Sequence, residues 1–339
     1  MPDLRAVKQS NTEFLASLHN KNLLSSPGRL RVPSVLAKTM TVTQANVMSS
    51  SQFEAFIDHL EGLDYRTRRI FLWRRTNSPR LSRFLYKFRS IEPSTATSVD
   101  RMRDLLVRSQ FWLSSPMDFN DPFDMSAKII VGGTVKKKKQ RIDQLLKLQG
   151  LKWRERQKQL PRILSQPDAL LAQSVQATWQ QTFEQTGVYS FGGDPHNILM
   201  WSHYASNHEG LCLQFEIAKD PGTFIKRVVT MKYSTDYPVV NWTTDRETGM
   251  QAIVERKHIG WEYERERRLV VPEKTRQYFP FRPEALRAII IGCRAKDSTV
   301  AALRDLIAER SSVGFPQPRL YRADKHESEY RLLITAFRP

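Results

Sequence analysis

The hydrophobic positions of the chain recur with two periods, one typical of helices and one typical of strands. Helical spacing appears first at Phe53, Phe56, Ile57 and Leu60, and again at Ile70, Phe71 and Trp73. Further helices are expected over 98–107, 198–204 and 300–309. Apolar or alternating segments predict strands at 84–89, 111–113, 187–191, 211–216, 226–233, 262–271, 286–293, 318–323 and 329–336. Because the two kinds of element do not alternate regularly, the pattern predicts an α+β fold, with a mixed or antiparallel sheet core and flanking helices.

The pattern also changes along the chain, and the change predicts a domain organisation. The first forty or so residues are polar without a sustained period, whereas helical spacing and a basic surface begin after Ser51, so we interpret residues 1–80 as a small, basic, partly helical N-terminal region. Residues 81–339 carry the predicted strands and are expected to form the α+β main domain. Inside it, residues 136–186 show helical spacing broken by Pro161 and Pro167, so they are expected to form a helical insertion.

The charge of the chain also predicts a binding partner. The chain has 53 lysines and arginines against 35 aspartates and glutamates, which gives a net charge of +18. Such a field attracts polyanions, and the main expectation is a nucleic-acid partner. The predicted nucleic-acid-binding surface is the run Lys136, Lys137, Lys138 and Lys139. The alternative interpretation of this run is an ordinary solvated start of a helix.

Composition also sets the expected compartment. No apolar run is long enough to span a membrane, and the first residues lack the apolar core of a signal peptide. The two cysteines, Cys212 and Cys293, lie in apolar segments, as buried thiols in a reducing compartment do. The chain is therefore predicted to be cytoplasmic and to have no membrane partner. No metal is expected either, since the spacing of zinc ligands does not occur.

The run from Trp261 to Arg268 concentrates carboxylates in a segment that is predicted to be a strand. Side chains two residues apart share a strand face, so Glu262, Glu264 and Glu266 are expected to point the same way. Like charges on one face repel each other unless cations or a ligand lie opposite them. The segment is therefore either a functional site or a strand edge that its own arginines neutralise.

Arg89 and His203 are candidate ligand-binding residues outside the acidic run. Arg89 ends the predicted first strand, where a guanidinium can bind phosphate or carboxylate through two hydrogen bonds, and Lys87 shares its face. His203 lies in the predicted helix 198–204 and is a candidate donor at the wall of a cleft. The chain has no nucleophile elbow, no P-loop and no dinucleotide-binding glycine motif. These absences argue against α/β-hydrolases, P-loop NTPases and Rossmann dehydrogenases.

The loop 118–124 is dense in turn-forming residues. Asn120 and Asp121 can each accept a hydrogen bond from the backbone two residues on, and a proline fixes the turn. Phe119 and Phe123 are expected to anchor the loop in the core. The loop is therefore predicted to be a rigid Asx turn, or else a preformed wall whose Asn120 or Asp121 contacts a ligand.

Several short segments together resemble a bacterial family of domains of unknown function. The segments are LYKFR (85–89), SSP (114–116), FNDPFD (119–124), LMWSHYA (199–205), HEG (208–210) and WEYERERR (261–268). The resemblance covers about residues 84–295 and leaves residues 1–80 outside it. It implies no particular activity, so the function has to be inferred from the residues themselves.

The order of Arg89, Ser190 and the acidic pair is similar to the order of site residues in mono-ADP-ribosyltransferases of the arginine–serine–glutamate type. The similarity implies that Arg89 binds the phosphate or ribose of NAD and that Ser190 supports the floor of the site. It further implies that Glu266 hydrogen-bonds the nicotinamide ribose and stabilises the positive transition state, while Glu264 orients or deprotonates the acceptor. Only one serine stands where that pattern has two.

These observations give a leading hypothesis and two alternatives. The leading hypothesis is an NAD-dependent mono-ADP-ribosyltransferase-like enzyme, a bacterial toxin or phage-defence effector that acts on a nucleic-acid or nucleic-acid-associated acceptor. Its catalytic residues would be Glu266 and Glu264, and its predicted NAD-binding residues are Tyr86, Arg89, Asn120, Asp121, Ser190 and His203. One alternative is a nucleic-acid-binding protein without catalysis. The other is a metal-dependent nuclease that uses Asp121, Asp124 and the acidic run.

Overall fold

A computed structural model of the protein describes residues 50–75, 82–148 and 150–338. The helices in these ranges are α1 (Ser50–Gly62), α2 (Tyr65–Arg75), α3 (Ala96–Leu106), α4 (Val135–Leu148), α5 (Trp153–Leu164), α6 (Asp168–Glu184), α7 (Ile198–Tyr204), α8 (Pro221–Arg227), α9 (Arg246–Glu255) and α10 (Asp297–Ser312). The strands are β1 (Phe84–Arg89), β2 (Gln110–Leu113), β3 (Lys128–Ile130), β4 (Gly187–Phe191), β5 (Leu211–Glu216), β6 (Val228–Thr230), β7 (Lys232–Ser234), β8 (Val239–Asn241), β9 (Arg256–His258), β10 (Arg267–Val271), β11 (Gln277–Pro280), β12 (Leu286–Ile291), β13 (Arg319–Lys325) and β14 (Leu332–Ala336). The predicted α+β class is confirmed.

The described residues divide into two units by their internal contacts. The helical unit comprises residues 119–184 and 234–258, and contains α4 to α6, α9 and the parallel pair of β3 and β8. The predicted helical insertion therefore corresponds to three helices of this unit. The sheet unit comprises the described residues up to 118 together with 185–233 and 259–338. It includes α1 and α2, whereas the first 49 residues of the predicted N-terminal region lie outside the described ranges.

The sheet unit is built on two sheets. The larger sheet has the strand order β1-β5-β12-β13-β14, with β12 and β13 parallel and the other neighbours antiparallel. The smaller sheet has the order β4-β10-β6 and is antiparallel throughout. A backbone bridge between Tyr86 and Gly192 connects the first strand of the larger sheet to the end of β4. The strands that carry Arg89 and Ser190 and the strand that follows the acidic segment are therefore neighbours.

Aromatic side chains dominate the core of the sheet unit. Phe111 lies at its centre, stacked on Phe281 with ring centroids 4.3 Å apart and in contact with the rings of Tyr189, Phe191 and Phe215. All five side chains are at least nine-tenths buried. Burying aromatic area of this size is a main source of folding free energy, and the tilted and edge-on ring geometry is the preferred one. The core therefore fixes β4 against its neighbours.

Two of the predicted strands are interrupted by other elements. Only residues 267–271 of the predicted strand 262–271 are extended, because Ile259–Glu264 form a 3₁₀ turn and Arg265 has a φ of 45°, which is left-handed backbone. The predicted strand 226–233 is divided between the end of α8, β6 and β7. In the described part of the chain, no helix combines the length and apolar character that crossing a membrane requires.

Candidate functional site

The three glutamates of the acidic segment have different environments. Glu264 and Glu266 are each only 4% exposed, whereas Glu262 is exposed to solvent. The prediction that all three share one strand face is wrong, because the 3₁₀ turn and the left-handed Arg265 redirect the chain between them. Two buried carboxylates remain, and each requires a partner to offset its loss of hydration.

Glu264 receives its partner from helix α7. The Tyr204 hydroxyl donates a hydrogen bond to its Oε1 at 2.6 Å. The same helix is fixed to the acidic turn at its other end, since the N-cap side chain of Asn197 accepts from two helix N–H groups and donates to the carbonyl of Tyr263. The Glu264 carbonyl accepts from the N–H of Gly193, which follows β4. Helix α7 and the end of β4 together set the position of Glu264.

Glu266 is held by the arginine two residues further on. Arg268 is fully buried and donates from Nε and Nη2 to the two carboxylate oxygens at 2.9 and 3.1 Å. The backbone N–H of Glu266 donates to the Tyr233 hydroxyl at 2.7 Å. Neutralisation by a neighbouring arginine, one of the two interpretations of the sequence, therefore occurs at Glu266. Because a two-point pair also fixes orientation, the carboxylate is held rigidly as well as neutralised.

Lys87 connects the strands of the site. Its Nζ donates to the Ser190 carbonyl at 2.7 Å and lies 4.3 Å from the centre of the Tyr189 ring. Burial and, to a smaller extent, the positive charge of Arg89 lower the pKa of Lys87 to about 7, although Glu266 and Glu264 act in the opposite direction. The Lys87 ammonium is therefore within electrostatic range of Arg89 and of both buried carboxylates.

Arg89 lies beside a buried tyrosine on the same side of β1. The Tyr189 hydroxyl is shielded from solvent and makes no hydrogen bond of normal geometry with any described residue. Burial raises the pKa of Tyr189 to about 12, and the nearby Arg89 guanidinium opposes this shift. Tyr86, which was predicted to bind NAD together with Arg89, projects from the opposite face of the strand and hydrogen-bonds Gln214. These two predicted residues therefore do not share one surface.

A cavity of about 500 Å³ opens beside the acidic segment. It is lined by Thr230, Met231, Tyr233, Glu262, Tyr263, Arg265, Glu266 and Arg267. Of the two buried carboxylates, Glu266 lines this cavity and Glu264 does not. The lining thus includes one glutamate, two arginines and two tyrosines, a combination that suits a molecule with both anionic and planar groups.

The remaining predicted NAD-binding residues have varied positions. Ser190 is partly buried on β4, and its carbonyl is the acceptor for Lys87. His203 is exposed on α7, with its ring 6.2 Å from that of Tyr263. Asn120 and Asp121 belong to the helical unit. Asp121 accepts from the Phe123 N–H, which is the predicted Asx turn, but Phe123 is 68% exposed, so the prediction that it anchors the loop in the core is wrong.

The lysine run lies at the start of α4 in the helical unit. Lys136, Lys137 and Lys139 are exposed, while Lys138 is partly buried and forms an ion pair with Asp168. One of the four lysines therefore has a structural role in joining α4 to α6. Among the residues that the structure describes, no three histidine, cysteine, aspartate or glutamate side chains are grouped so that they could hold a metal ion.

Sequence reasoning did not assign several residues that shape the site. Arg268 had a detectable signal, because an arginine two positions after a glutamate can reach it along one strand edge. Lys87 was predicted to share a strand face with Arg89, but its contact with Ser190 was not predicted. Tyr204, Tyr233 and Arg267 had no local signal, because their roles depend on contacts between distant segments.

The chain matches one family of proteins. Residues 200–269, which are 70 of its 339 residues, match the family described as Protein of unknown function (DUF2971). The matched segment contains Tyr204, Glu264, Glu266 and Arg268. No curated protein and no solved structure shows a significant match to the chain. The predicted resemblance to a domain of unknown function is confirmed for this segment.

Proposed function

We propose that the protein is an NAD-dependent mono-ADP-ribosyltransferase-like enzyme whose site in the sheet unit comprises Lys87, Arg89, Ser190, Glu264 and Glu266. The acceptor in this proposal is a nucleic acid or a molecule associated with one, which the net charge of +18 would attract. Modification of such an acceptor is the kind of damage that a bacterial toxin or phage-defence effector inflicts.

One observation carries the proposal, namely that the strands of the arginine, serine and glutamate elements are neighbours. In the pairing of β10 with β4, Arg268 lies opposite Ser190. Strand β4 is in turn bridged to β1, which carries Lys87 and Arg89. The Lys87 ammonium contacts the serine element and lies within electrostatic range of the other two. Elements that are far apart in the sequence therefore converge on one buried region.

The chemistry assigns a distinct task to each carboxylate. The bond between nicotinamide and ribose breaks, and its electron pair leaves with the nicotinamide, which becomes neutral. The ribose carries positive charge in the transition state, and the Glu266 carboxylate stabilises that charge. Because Arg268 already fixes Glu266, no reorientation is needed during the reaction. The acceptor then bonds to the same ribose carbon, and its proton passes to Glu264.

Release of nicotinamide from NAD by the purified full chain tests this proposal. We expect turnover in the presence of a nucleic-acid acceptor, and a decrease of about 100-fold or more in the Glu266→Gln variant, because an amide cannot stabilise the sugar cation as a carboxylate does. The matched control is Glu327→Gln, which changes an exposed glutamate between β13 and β14 and should leave the rate unchanged. Intact NAD after incubation with single-stranded and double-stranded nucleic acids would contradict the proposal.

A second variant separates loss of chemistry from loss of folding. Glu266→Gln leaves Arg268 without its charged partner, and breaking a buried ion pair typically costs about 3–5 kcal/mol of stability. The melting temperature of each variant should therefore be measured alongside its activity. Arg89→Ala changes the other side of the site, and it should reduce nicotinamide release through a weaker apparent affinity for NAD while the melting temperature stays close to that of the unmodified protein.

A further inference from the structure

The two arginines that line the cavity beside Glu266 differ in how their charges are balanced. Arg265 is 68% exposed and forms an ion pair with Asp194 at 3.5 Å. Arg267 is partly buried, and its side chain makes no hydrogen bond or ion pair with any of the described residues. Its Nε is fully shielded from solvent without an acceptor. Arg268, the next residue along the chain, is by contrast paired with Glu266.

An arginine without a carboxylate partner in such a position is suited to bind an anion. Burial lowers the pKa of Arg267, and the effect that opposes it comes from Tyr233 and not from a carboxylate. A guanidinium that has lost water without gaining an acceptor raises the free energy of the empty protein. That free energy is recovered when an anion with two or more oxygens binds, and phosphate fits the planar donor arrangement of arginine best.

The other lining residues narrow the class of anion. Tyr233 and Tyr263 also line the cavity, and tyrosine rings are suitable surfaces on which a planar base can stack. The volume of about 500 Å³ is in the range that holds a small organic ligand, and it exceeds what a bare phosphate ion needs. Thr230, opposite Arg267 in the pairing of β6 and β10, adds a hydroxyl that can bond to a phosphate oxygen.

We infer that this cavity binds a nucleoside phosphate, with Arg267 and Arg265 on the phosphate and Tyr233 and Tyr263 beside the base. The inference rests on the proposed function, because it identifies the ligand class that Glu266 faces. The nucleoside phosphate has two potential sources: NAD itself, or a nucleotide of the nucleic-acid acceptor. Both present the same chemistry to the cavity, so the site can be tested before its source is known.

Binding of adenosine monophosphate (AMP), measured by calorimetry with the full chain, tests the inference. We expect AMP to bind about tenfold or more tightly than adenosine, and Arg267→Gln to remove this difference. Arg267→Lys keeps the charge but loses the two-point geometry, so its AMP affinity should lie between those of the unmodified protein and the Arg267→Gln variant. The control is Arg319→Gln, which changes an exposed arginine on β13 and should leave AMP affinity unchanged. Equal AMP affinity in the Arg267→Gln variant and the unmodified protein would overturn the inference.

The variant is expected to fold, since removing an unpaired, partly buried charge relieves a cost of folding. Competition then identifies the source: displacement of AMP by NAD assigns the cavity to NAD, displacement by a short single-stranded oligonucleotide assigns it to the acceptor, and either result supports the site. The two proposals fail in different ways. AMP binding that depends on Arg267, without any release of nicotinamide, would contradict the transferase proposal and support the nucleoside-phosphate site. Nicotinamide release with an AMP affinity that does not depend on Arg267 would support the transferase proposal and contradict the nucleoside-phosphate site.

Discussion

The charge of Lys87 depends on the other charged groups of the site. Its ammonium is enclosed by the Ser190 carbonyl and the Tyr189 ring, with Arg89 beside it and the two buried glutamates within electrostatic range. A lysine in such surroundings is on the border between its charged and neutral forms at neutral pH, because burial and Arg89 disfavour the charge while the carboxylates favour it. The same residue therefore links folding stability and the electrostatics of the site to pH.

The stability of the protein should depend on pH through Lys87. Its pKa is lowered from 10.5 to about 7 in the folded state, so between those values the unfolded chain binds a proton that the folded chain does not. Stability should then rise with pH across this window, by up to about 1.4 kcal/mol per pH unit from this one proton, and level off below pH 7. Lys87→Met removes this contribution. Urea unfolding at a series of pH values should show a flatter profile for the variant between pH 7 and 10.

The control for this experiment is Lys325→Met, which removes an exposed lysine on β13 and should leave the slope of the profile unchanged. Parallel profiles for Lys87→Met and the unmodified protein would show that Lys87 titrates at its ordinary pKa. The lysine would in that case be better solvated than its contacts with Ser190 and Tyr189 indicate.

At the scale of elements, the end of β4 and the acidic turn approach so closely that only glycine fits between them. A Cβ on Gly193 would lie 2.7 Å from the Cβ of Arg265 and 2.8 Å from its carbonyl oxygen. The N–H of Gly193 also donates to the carbonyl of Glu264. This contact fixes the turn at Arg265, whose left-handed backbone directs Glu264 toward Tyr204 and Glu266 toward Arg268.

The same elements show what local sequence pattern can predict. Strands β1 and β5 and helix α7 have the predicted bounds, because their apolar spacing is a local signal. The acidic segment was wrongly predicted to be a strand, because its alternating charges imitate strand periodicity. Its actual turn depends on contacts with Gly193 and Tyr204, which come from distant segments. The neighbouring arrangement of Arg89, Ser190 and Glu266 likewise required the strand pairing, which the sequence order alone does not determine.

Substituting Gly193 should therefore damage the site through the backbone. Gly193→Ala forces the acidic turn away from β4, and we expect a loss of about 1–3 kcal/mol in the free energy of unfolding, as is usual for overpacking a close contact. The matched control is Gly62→Ala at the end of α1, where an added Cβ meets nothing within 4 Å. Thermal unfolding should show a lower melting temperature for the first variant and an equal or higher one for the second. Equal melting temperatures would mean that the turn can move away at little cost.

At the scale of the whole molecule, the net charge of +18 is not concentrated in the candidate site. Several arginines have structural partners instead. Arg68 donates to the carbonyls of Leu60, Glu61, Leu63 and Ala218, and Arg310 donates to those of Leu106, Pro283 and Pro316. Such buried arginines terminate helices and join segments, and they are not accessible to a polyanion. Nucleic-acid binding must therefore depend on exposed cations, and three of the α4 lysines, Lys136, Lys137 and Lys139, are such cations.

The exposed lysines of α4 should contribute a measurable part of any affinity for nucleic acid. A triple variant, Lys136→Gln with Lys137→Gln and Lys139→Gln, removes three exposed charges and keeps the Lys138–Asp168 pair that joins α4 to α6. If these lysines contact phosphates, the slope of log affinity against log salt should fall by about 2–3, because each contact releases roughly one counterion.

The control removes three exposed charges from the sheet unit: Arg304→Gln, Arg319→Gln and Lys325→Gln. It has the same net charge, so a general effect of charge would lower both slopes equally. A decrease confined to the α4 variant would assign the phosphate contacts to the helical unit, and a decrease confined to the control would show that the α4 lysines are an ordinary solvated start of a helix.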